Sequence, residues 1–561
     1  MRLKGIMTLV IVAALLMSLG FTGCGKTDDS KTQTIGSQST EAGKAVQTEA
    51  GEMVGNMYKT GLPIVKEKIT LKMVARKRAF AGNYEEMNLI TDLEERTNIH
   101  IDWNAIPQSQ YEEKKNLLLA SNDLPDAFFG QTALTNADLV TYGPIGVFID
   151  MTGLIKDYAP ILTKLMASDE MFNKVAYSPD GKIYGLPRAR QIGYNDAPDQ
   201  MFMYKPWLDK LGLAVPTTLD EFHAVLKAFK TSDPNGNGKA DEIPFTFRYK
   251  THYQGMYSLF GAFGLPDNVL TEDLSHMIIK DGKVVYVPVQ QEYEKAIQYF
   301  NAYFKDGLVD PESFTQDVKQ YTAKGATADV TVGAFISWND FDVAGADRKN
   351  DYVIVPPMAG PDGERIWNKY MHDNNGIVGT GFSITKQNKY PEATMRWVDE
   401  FYDPDFSIQV QFGPLGININ KKGDGSYEFI PTPEGMTYDE FNFKNSPVDA
   451  PSAVFKEVFD SKKLPMSEEA EVKYAYVEKY YRPYMTVQTF PGAAMFTPEE
   501  TKTIKTMSTD IYNYVNDMQA KWLLNGGIEK EWDGYLGKLK QMKLDDMLSI
   551  YQTAYDRFNK K

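Results

Sequence analysis

An α/β fold of parallel sheets covered by helices is what the sequence predicts. Three observations carry that prediction. Short apolar strands alternate with amphipathic helices between residues 69 and 130, the alternation restarts near residue 200, and about 500 residues of globular composition follow the polar N-terminal region. A β-α-β-α-β order implies parallel strands joined by helical crossovers. A chain of this length also exceeds what one hydrophobic core commonly spans.

The chain opens with a short basic head, Met1-Arg2-Leu3-Lys4, and an apolar run from Ile6 to Met17. That run is shorter than the roughly 20 apolar residues of a membrane-spanning helix and suits the core of a secretory signal. Leu19-Gly20-Phe21-Thr22-Gly23 then leads to Cys24, the only cysteine. Small residues directly before that cysteine resemble a bacterial lipobox, with Phe21 standing where the pattern prefers an aliphatic side chain. Residues 1–23 are therefore expected to be a lipoprotein signal peptide. Cys24 is the expected lipidation site, anchoring the chain to the extracellular face of the cell membrane. A lone cysteine excludes intrachain disulfides and a cysteine-based metal site. Residues 24–62 are rich in Ser, Thr, Gln, Gly, Lys and Glu without apolar periodicity, which predicts a flexible stalk.

Residues 69–74 give a first strand that ends in the basic turn Ala75-Arg76-Lys77-Arg78. A helix over 87–96, a strand over 100–103 and a helix over 111–120 follow. Asp123-Leu124-Pro125-Asp126 then leads into a short apolar strand, Ala127-Phe128-Phe129, closed by Gly130. Ligands of parallel sheets gather at the carboxyl ends of the strands, which places Arg76, Arg78, Phe129 and Gln131 at the expected site.

Asp180-Gly181-Lys182-Ile183-Tyr184-Gly185-Leu186-Pro187 reads as a turn and a short strand running into Arg188, Arg190, Tyr194 and Asn195. The second run begins with the apolar strand at 201–204. Thr218 and Glu221 have capping-box spacing, and Phe222, Val225, Leu226 and Phe229 form the buried stripe of the helix they open. Further strands are expected over 329–338, with Trp338 at the exit, over 352–355, and over 379–386 before a helix near Pro391 whose Trp397 faces the core. From about Pro465 helical patterns dominate, without one clean strand.

Composition excludes several classes. With 75 acidic against 60 basic residues, nucleic acid is not the main partner. There is no P-loop, nucleophile elbow or His-Glu-x-x-His helix, and the five histidines, at 100, 223, 252, 276 and 372, are scattered.

The sharpest local chemistry is the loop from Asp233 to Glu242. Oxygen-bearing side chains fall at positions one, three and five of an EF-hand-type loop, as Asp233, Asn235 and Asn237. Gly238 takes the turn position, the Lys239 carbonyl position seven, and Asp241 position nine. Calcium, which wants six to eight oxygens, suits this spacing in a structural role. Position twelve is Pro244, so the usual bidentate Glu is missing. A solvated Asn-Gly turn is the plainer alternative.

The order of these pieces resembles the extracellular solute-binding proteins of bacterial ABC sugar importers, in particular large oligosaccharide-binding lipoproteins. The motifs that carry the likeness are the lipobox, Asp123-Leu124-Pro125-Asp126, the segments 181–187 and 207–213, and the Asp233 loop followed by Asp241-Glu242-Ile243-Pro244. The resemblance implies a two-lobed periplasmic-binding-protein-like fold with a cleft between the lobes. One lobe would hold residues 63–190 and 361–412, the other 195–356 and 415–561 with a helical C-terminal extension. Crossings would fall near 188–195, 356–360 and 412–416. It also implies an oligosaccharide ligand, ABC permease subunits as partners, no enzymatic activity, and Asp241 with Glu242 completing the metal loop. A monomer is expected. Trp338 beside Asn339 is the best candidate for stacking on a sugar, a role a Trp after the equivalent strand often takes in such proteins; a core Trp is the alternative. The five basic residues Arg76, Lys77, Arg78, Arg188 and Arg190 would suit an acidic sugar. A secreted carbohydrate-active enzyme, and a surface lipoprotein presenting ligand to a sensor kinase, are the rival readings.

Overall fold

A computed structural model describes residues 51–560 apart from 252, 272, 349–350 and 371–375. The signal peptide, Cys24 and most of the predicted stalk lie outside the described residues, as do His252, His372 and Asp373.

The first sheet has six strands, in the order Ala453–Val454, Leu186–Arg190, Ile377–Ile384, Ala127–Phe129, Ile69–Lys77 and Ile99–Pro107. The last three are parallel: Ile69 lies opposite Ile99 and Met73 opposite Ala127. Their helices, Asn88–Thr97 and Gln108–Ser121, fall within a few residues of the predicted spans. Leu89, Ile90 and Leu93 are buried along one stripe, as the 3.6-residue period requires. Ile377–Ile384 runs antiparallel to both of its neighbours. Ala453–Val454, grouped by the sequence with the second half of the chain, pairs with Leu186–Arg190 in this sheet. Two residues are too few to leave an alternating pattern.

The second sheet orders Tyr352–Val355, Gln200–Tyr204, Val332–Ser337 and Ile243–Thr246. Against it packs the helix Leu219–Thr231, with Leu219, Phe222, Val225, Leu226 and Phe229 buried. Its cap differs slightly from the predicted box. Thr218 accepts from the Glu221 amide at 3.1 Å, but the Glu221 carboxylate reaches back to the Thr217 amide rather than that of Thr218.

A third sheet joins Lys283–Tyr286, Met277–Lys280, Val487–Thr489 and Asn368–Lys369. Val487–Thr489 is the strand that the helical pattern after Pro465 concealed. The expected stalk ends sooner than residue 62. Met53–Val54 and Met57–Tyr58 pair as a hairpin, Met57 is buried, and Arg396 donates to the carbonyls of Tyr58 and Gly61. A few apolar side chains inside a polar stretch suffice to dock it.

Candidate functional site

A cavity of about 710 Å³ opens where the exit of Val332–Ser337 meets the segment after Leu186–Arg190. Arg190, Tyr194, Trp338 and Asn339 line it. Four of the ten predicted ligand-binding residues are thus brought together, from positions almost 150 residues apart in the chain. The volume falls within the roughly 300–1,000 Å³ of sites that enclose small ligands.

Trp338 is half-buried. Tyr194 and Tyr253 stand nearly perpendicular to it, with ring centroids at 6.2 and 5.7 Å. Lys473, from the helix Glu468–Tyr476, places its ammonium 4.0 Å from the Trp338 ring centroid and donates to the Trp338 carbonyl at 2.7 Å. Burial pushes the Lys473 ammonium down to about 7, against the opposing fields of Asp199 and Asp342. The same burial raises both acids, Asp199 to about 7. Arg190 Nε is buried without a hydrogen-bond partner. A second aromatic pair, Phe429 and Tyr438, lines the cavity with centroids 4.1 Å apart. Phe429, Tyr438 and Lys473 escaped the sequence reading. They lie some 90 to 135 residues beyond Trp338, and no local periodicity marks side chains that meet only through the tertiary fold.

The other predicted residues go elsewhere. Arg78 Nε and Nη2 bind both carboxylate oxygens of Asp449, Gln131 Nε2 donates to the same group at 3.1 Å, and Arg188 donates to Gln131 Oε1 and the Val448 carbonyl. Burial alone would raise the Asp449 carboxyl, but Arg78's hydrogen bonds and charge, with Arg188 and Gln131, hold it below the ordinary carboxylate range. Burial, then the neighbouring charge of Arg190, pushes Arg188 down to about 10. Gly130 closes this corner at φ +97°, and a Cβ there would sit 3.2 Å from the Asp449 carbonyl. Phe129 is a core residue, not a cleft residue: it is 1% exposed and packs edge-on against Trp103, Phe382 and Phe401. Arg76, at the end of its strand, and Asn195, in the turn Tyr194–Asp196, are half-buried and do not line the cavity.

The Asp233 loop gathers oxygen-bearing residues of the kind a hard cation would need, here hydrogen-bonded to one another and to the loop's amides. Asp233 is held at φ +44° while its carboxylate accepts from the Gly236 and Gly238 amides. Asn235 and Asn237 accept from the amides two residues on and turn their other ends to Asp241. Each Asn oxygen is thus held by a backbone amide and each Asn nitrogen by Asp241, so a cation would have to displace these hydrogen bonds. Glu242 Oε1 is buried with no partner, and burial, then Asp233 and Asp241, raises its pKa. Among the described residues no group of three or more His, Cys, Asp or Glu is by itself a metal cage. The coordinating set would therefore need the two Asn oxygens and the Lys239 carbonyl besides Asp233, Asp241 and Glu242.

The sequence profile of the bacterial extracellular solute-binding protein family matches residues 81–406. A relative from Streptococcus pneumoniae serotype 4, the fructooligosaccharide ABC transporter substrate-binding protein FusA, is 33% identical over 511 residues, 88% of this chain and 91% of its own length. Solved structures of S. pneumoniae FusA with kestose, and of its EF-hand mutant with fructo-nystose, each match at 31% identity and TM-score 0.71. Each alignment covers 88% of this chain and 99% of theirs. Among the described residues no helix is long and apolar enough to cross a membrane.

Proposed function

Because the chain belongs to the bacterial extracellular solute-binding protein family, with its two-lobed α/β fold, we propose that it is the substrate-capturing component of an ABC importer and that it carries a neutral oligosaccharide. The observation that carries this reading is the cavity around Trp338, lined by aromatic rings from several segments together with Arg190 and Asn339. Sugars present apolar ring faces edged by hydroxyls, so flat aromatics beside planar polar groups match them.

Neutral ligands are favoured over uronates because two of the predicted basic residues are engaged elsewhere. Arg78 and Arg188 are tied into the Asp449 network, and the cations that line the cavity, Arg190 and Lys473, are matched there by the carboxylates of Asp439 and Glu469. The similarity to a fructooligosaccharide-binding protein points the same way and makes kestose-like chains the first ligands to try. Cys24 would carry the lipid anchor, and a monomer would deliver the sugar to permease subunits at the membrane. The lobes would follow the sequence boundaries, 63–190 with 361–412 and 195–356 with 415–561, with 453–454 transferred to the first lobe. They would close on ligand as rigid bodies, with the differential affinity for the closed form setting the shift. Calcium in the Asp233 loop would brace the second lobe, a reading supported by the donor set and by the similarity to a protein for which an EF-hand mutant has been made.

The test is a thermal-shift and calorimetric titration of residues 25–561 with kestose, nystose and an oligogalacturonate. Ligand that binds only the folded state raises Tm by mass action. A rise with the neutral fructans, no rise with the uronate and no cleavage of the sugar support the reading. A rise with the uronate alone, or turnover of any glycan, overturns it.

A further inference from the structure

A buried lysine needs an explanation. Lys473 is 2% exposed, on a helix whose other charges, Glu468, Glu469 and Glu471, crowd its first turn. An ammonium taken out of water is retained where it is paired or performs a task. The groups around it define that task. Its Nζ is 2.7 Å from the Trp338 carbonyl and 4.0 Å from the Trp338 ring centroid, and the carboxylates whose fields favour its charge are Asp199 and Asp342.

Those contacts converge on one short segment. Asp342 accepts from the Asn339 amide at 3.3 Å and lies within 3.5 Å of the Ser337 hydroxyl, so it fastens the chain on both sides of Trp338. Asp199 is held from behind by the Ser258 hydroxyl. Trp338 follows the last residue of its strand and is half-buried. Without a clamp, such a side chain would sample several rotamers, and binding would have to order it. An ammonium seated on an indole face fixes the ring through cation–π attraction, strongest where water is excluded. Lys473 and Trp338 both border the 710 Å³ cavity, so the fixed ring is the one a ligand meets.

We propose that Lys473 is a positioning residue for ligand capture: its ammonium pins both the carbonyl and the indole of Trp338, presetting the ring for a sugar before ligand arrives. This rests on the oligosaccharide reading above.

The experiment compares the parent protein, residues 25–561, with Trp338→Phe and with Lys473→Met, Lys473→Gln and Lys473→Arg. Kestose affinity, the tryptophan emission of the free and bound protein, and the ligand-free Tm are measured for each. Parent minus Trp338→Phe isolates the emission of Trp338. Lys473→Met and Lys473→Gln should weaken kestose about tenfold and shift the Trp338 emission in the free protein. Lys473→Arg, which keeps both a donor and a charge, should restore most of each. A structural role alone would lower Tm and leave the Trp338 signal in place. If Lys473→Met does not fold, the Gln and Arg variants decide. A Gln variant with parental affinity and emission overturns the proposal. If the parent binds no oligosaccharide, the ligand reading fails, but the free-state emission still decides the clamp: no shift in Lys473→Gln overturns it.

Discussion

Arg78 and Asp449, 371 positions apart in the chain, are joined by two charge-assisted hydrogen bonds of 2.6 and 2.7 Å. Their pairing seals the carboxyl ends of the strands Ile69–Lys77 and Ala127–Phe129, where a parallel sheet ordinarily offers its ligand site. Gln131 donates to the same carboxylate, and Arg188 in turn holds Gln131 and the Val448 carbonyl. The cavity that remains is displaced toward Arg190 and Trp338.

Breaking that pair should cost stability. Asp449→Ala leaves the Arg78 guanidinium without its anion in a part-buried corner open to some solvent, so the loss should fall short of about 3–5 kcal/mol, the cost for a fully buried pair. Replacing both, as Arg78→Met with Asp449→Leu, should cost less than the sum of the single changes. The pair also sets an acid limit. An unfolded Asp titrates at about 3.9, and Asp449 in the folded protein is held lower. Its contribution is thus fully present above the ordinary value and lost as pH falls through the lowered one. Urea denaturation of parent and Asp449→Asn across that window should show the parent losing more.

Trp338→Ala should weaken the oligosaccharide by about 2 kcal/mol, roughly thirtyfold in Kd, the scale of an aromatic anchor at the centre of a site. Because the ring is half-buried, Tm of the free protein should fall only modestly. Calorimetry with kestose checks the first statement and differential scanning fluorimetry the second. An alanine variant that binds as tightly as the parent would remove Trp338 from the site.

What was legible in the sequence divides by range. The helix Leu219–Thr231 and the strands Ile69–Lys77 and Val332–Ser337 announce themselves because their apolar periods are local. Of the residues that line the cavity, Trp338 is marked in the sequence by its place at a strand exit, and Arg190 and Tyr194 by the first interlobe crossing that the family resemblance implies. Lys473 left no signal, since a lysine among glutamates on a helix reads as solvated surface and only the fold buries it. Phe129 failed for the opposite reason. Strand-end position pointed to the cleft, but its side chain turns into an aromatic core formed by Trp103, Phe382 and Phe401.

Cys24→Ser removes the thiol that lipidation requires. The parent should partition with membranes and into detergent, while the variant should appear in the soluble or culture-medium fraction with unchanged affinity for kestose. Fractionation and blotting read the result. A parent that is itself soluble would leave Cys24 as an ordinary residue and the N-terminal run as a simple secretory signal.

The metal loop makes a prediction in which pH and calcium are linked. Without metal, burial and then the charges of Asp233 and Asp241 raise Glu242 above 4.5. The folded loop then holds this proton more tightly than the unfolded chain. Stability that is full below the ordinary Glu value is lost as pH rises through the raised one. A cation reverses that penalty, because it is bound by the ionised carboxylate and releases the proton. Melting curves with calcium and with EGTA should therefore lie close together in acid and separate as pH rises through the Glu242 window. Glu242→Gln should flatten the pH dependence in EGTA, and Asp233→Ala should abolish the response to calcium at every pH. Identical Tm values with calcium and with EGTA throughout would mean that the loop is an Asn-Gly turn held by its own hydrogen bonds, with Glu242 buried for some other reason.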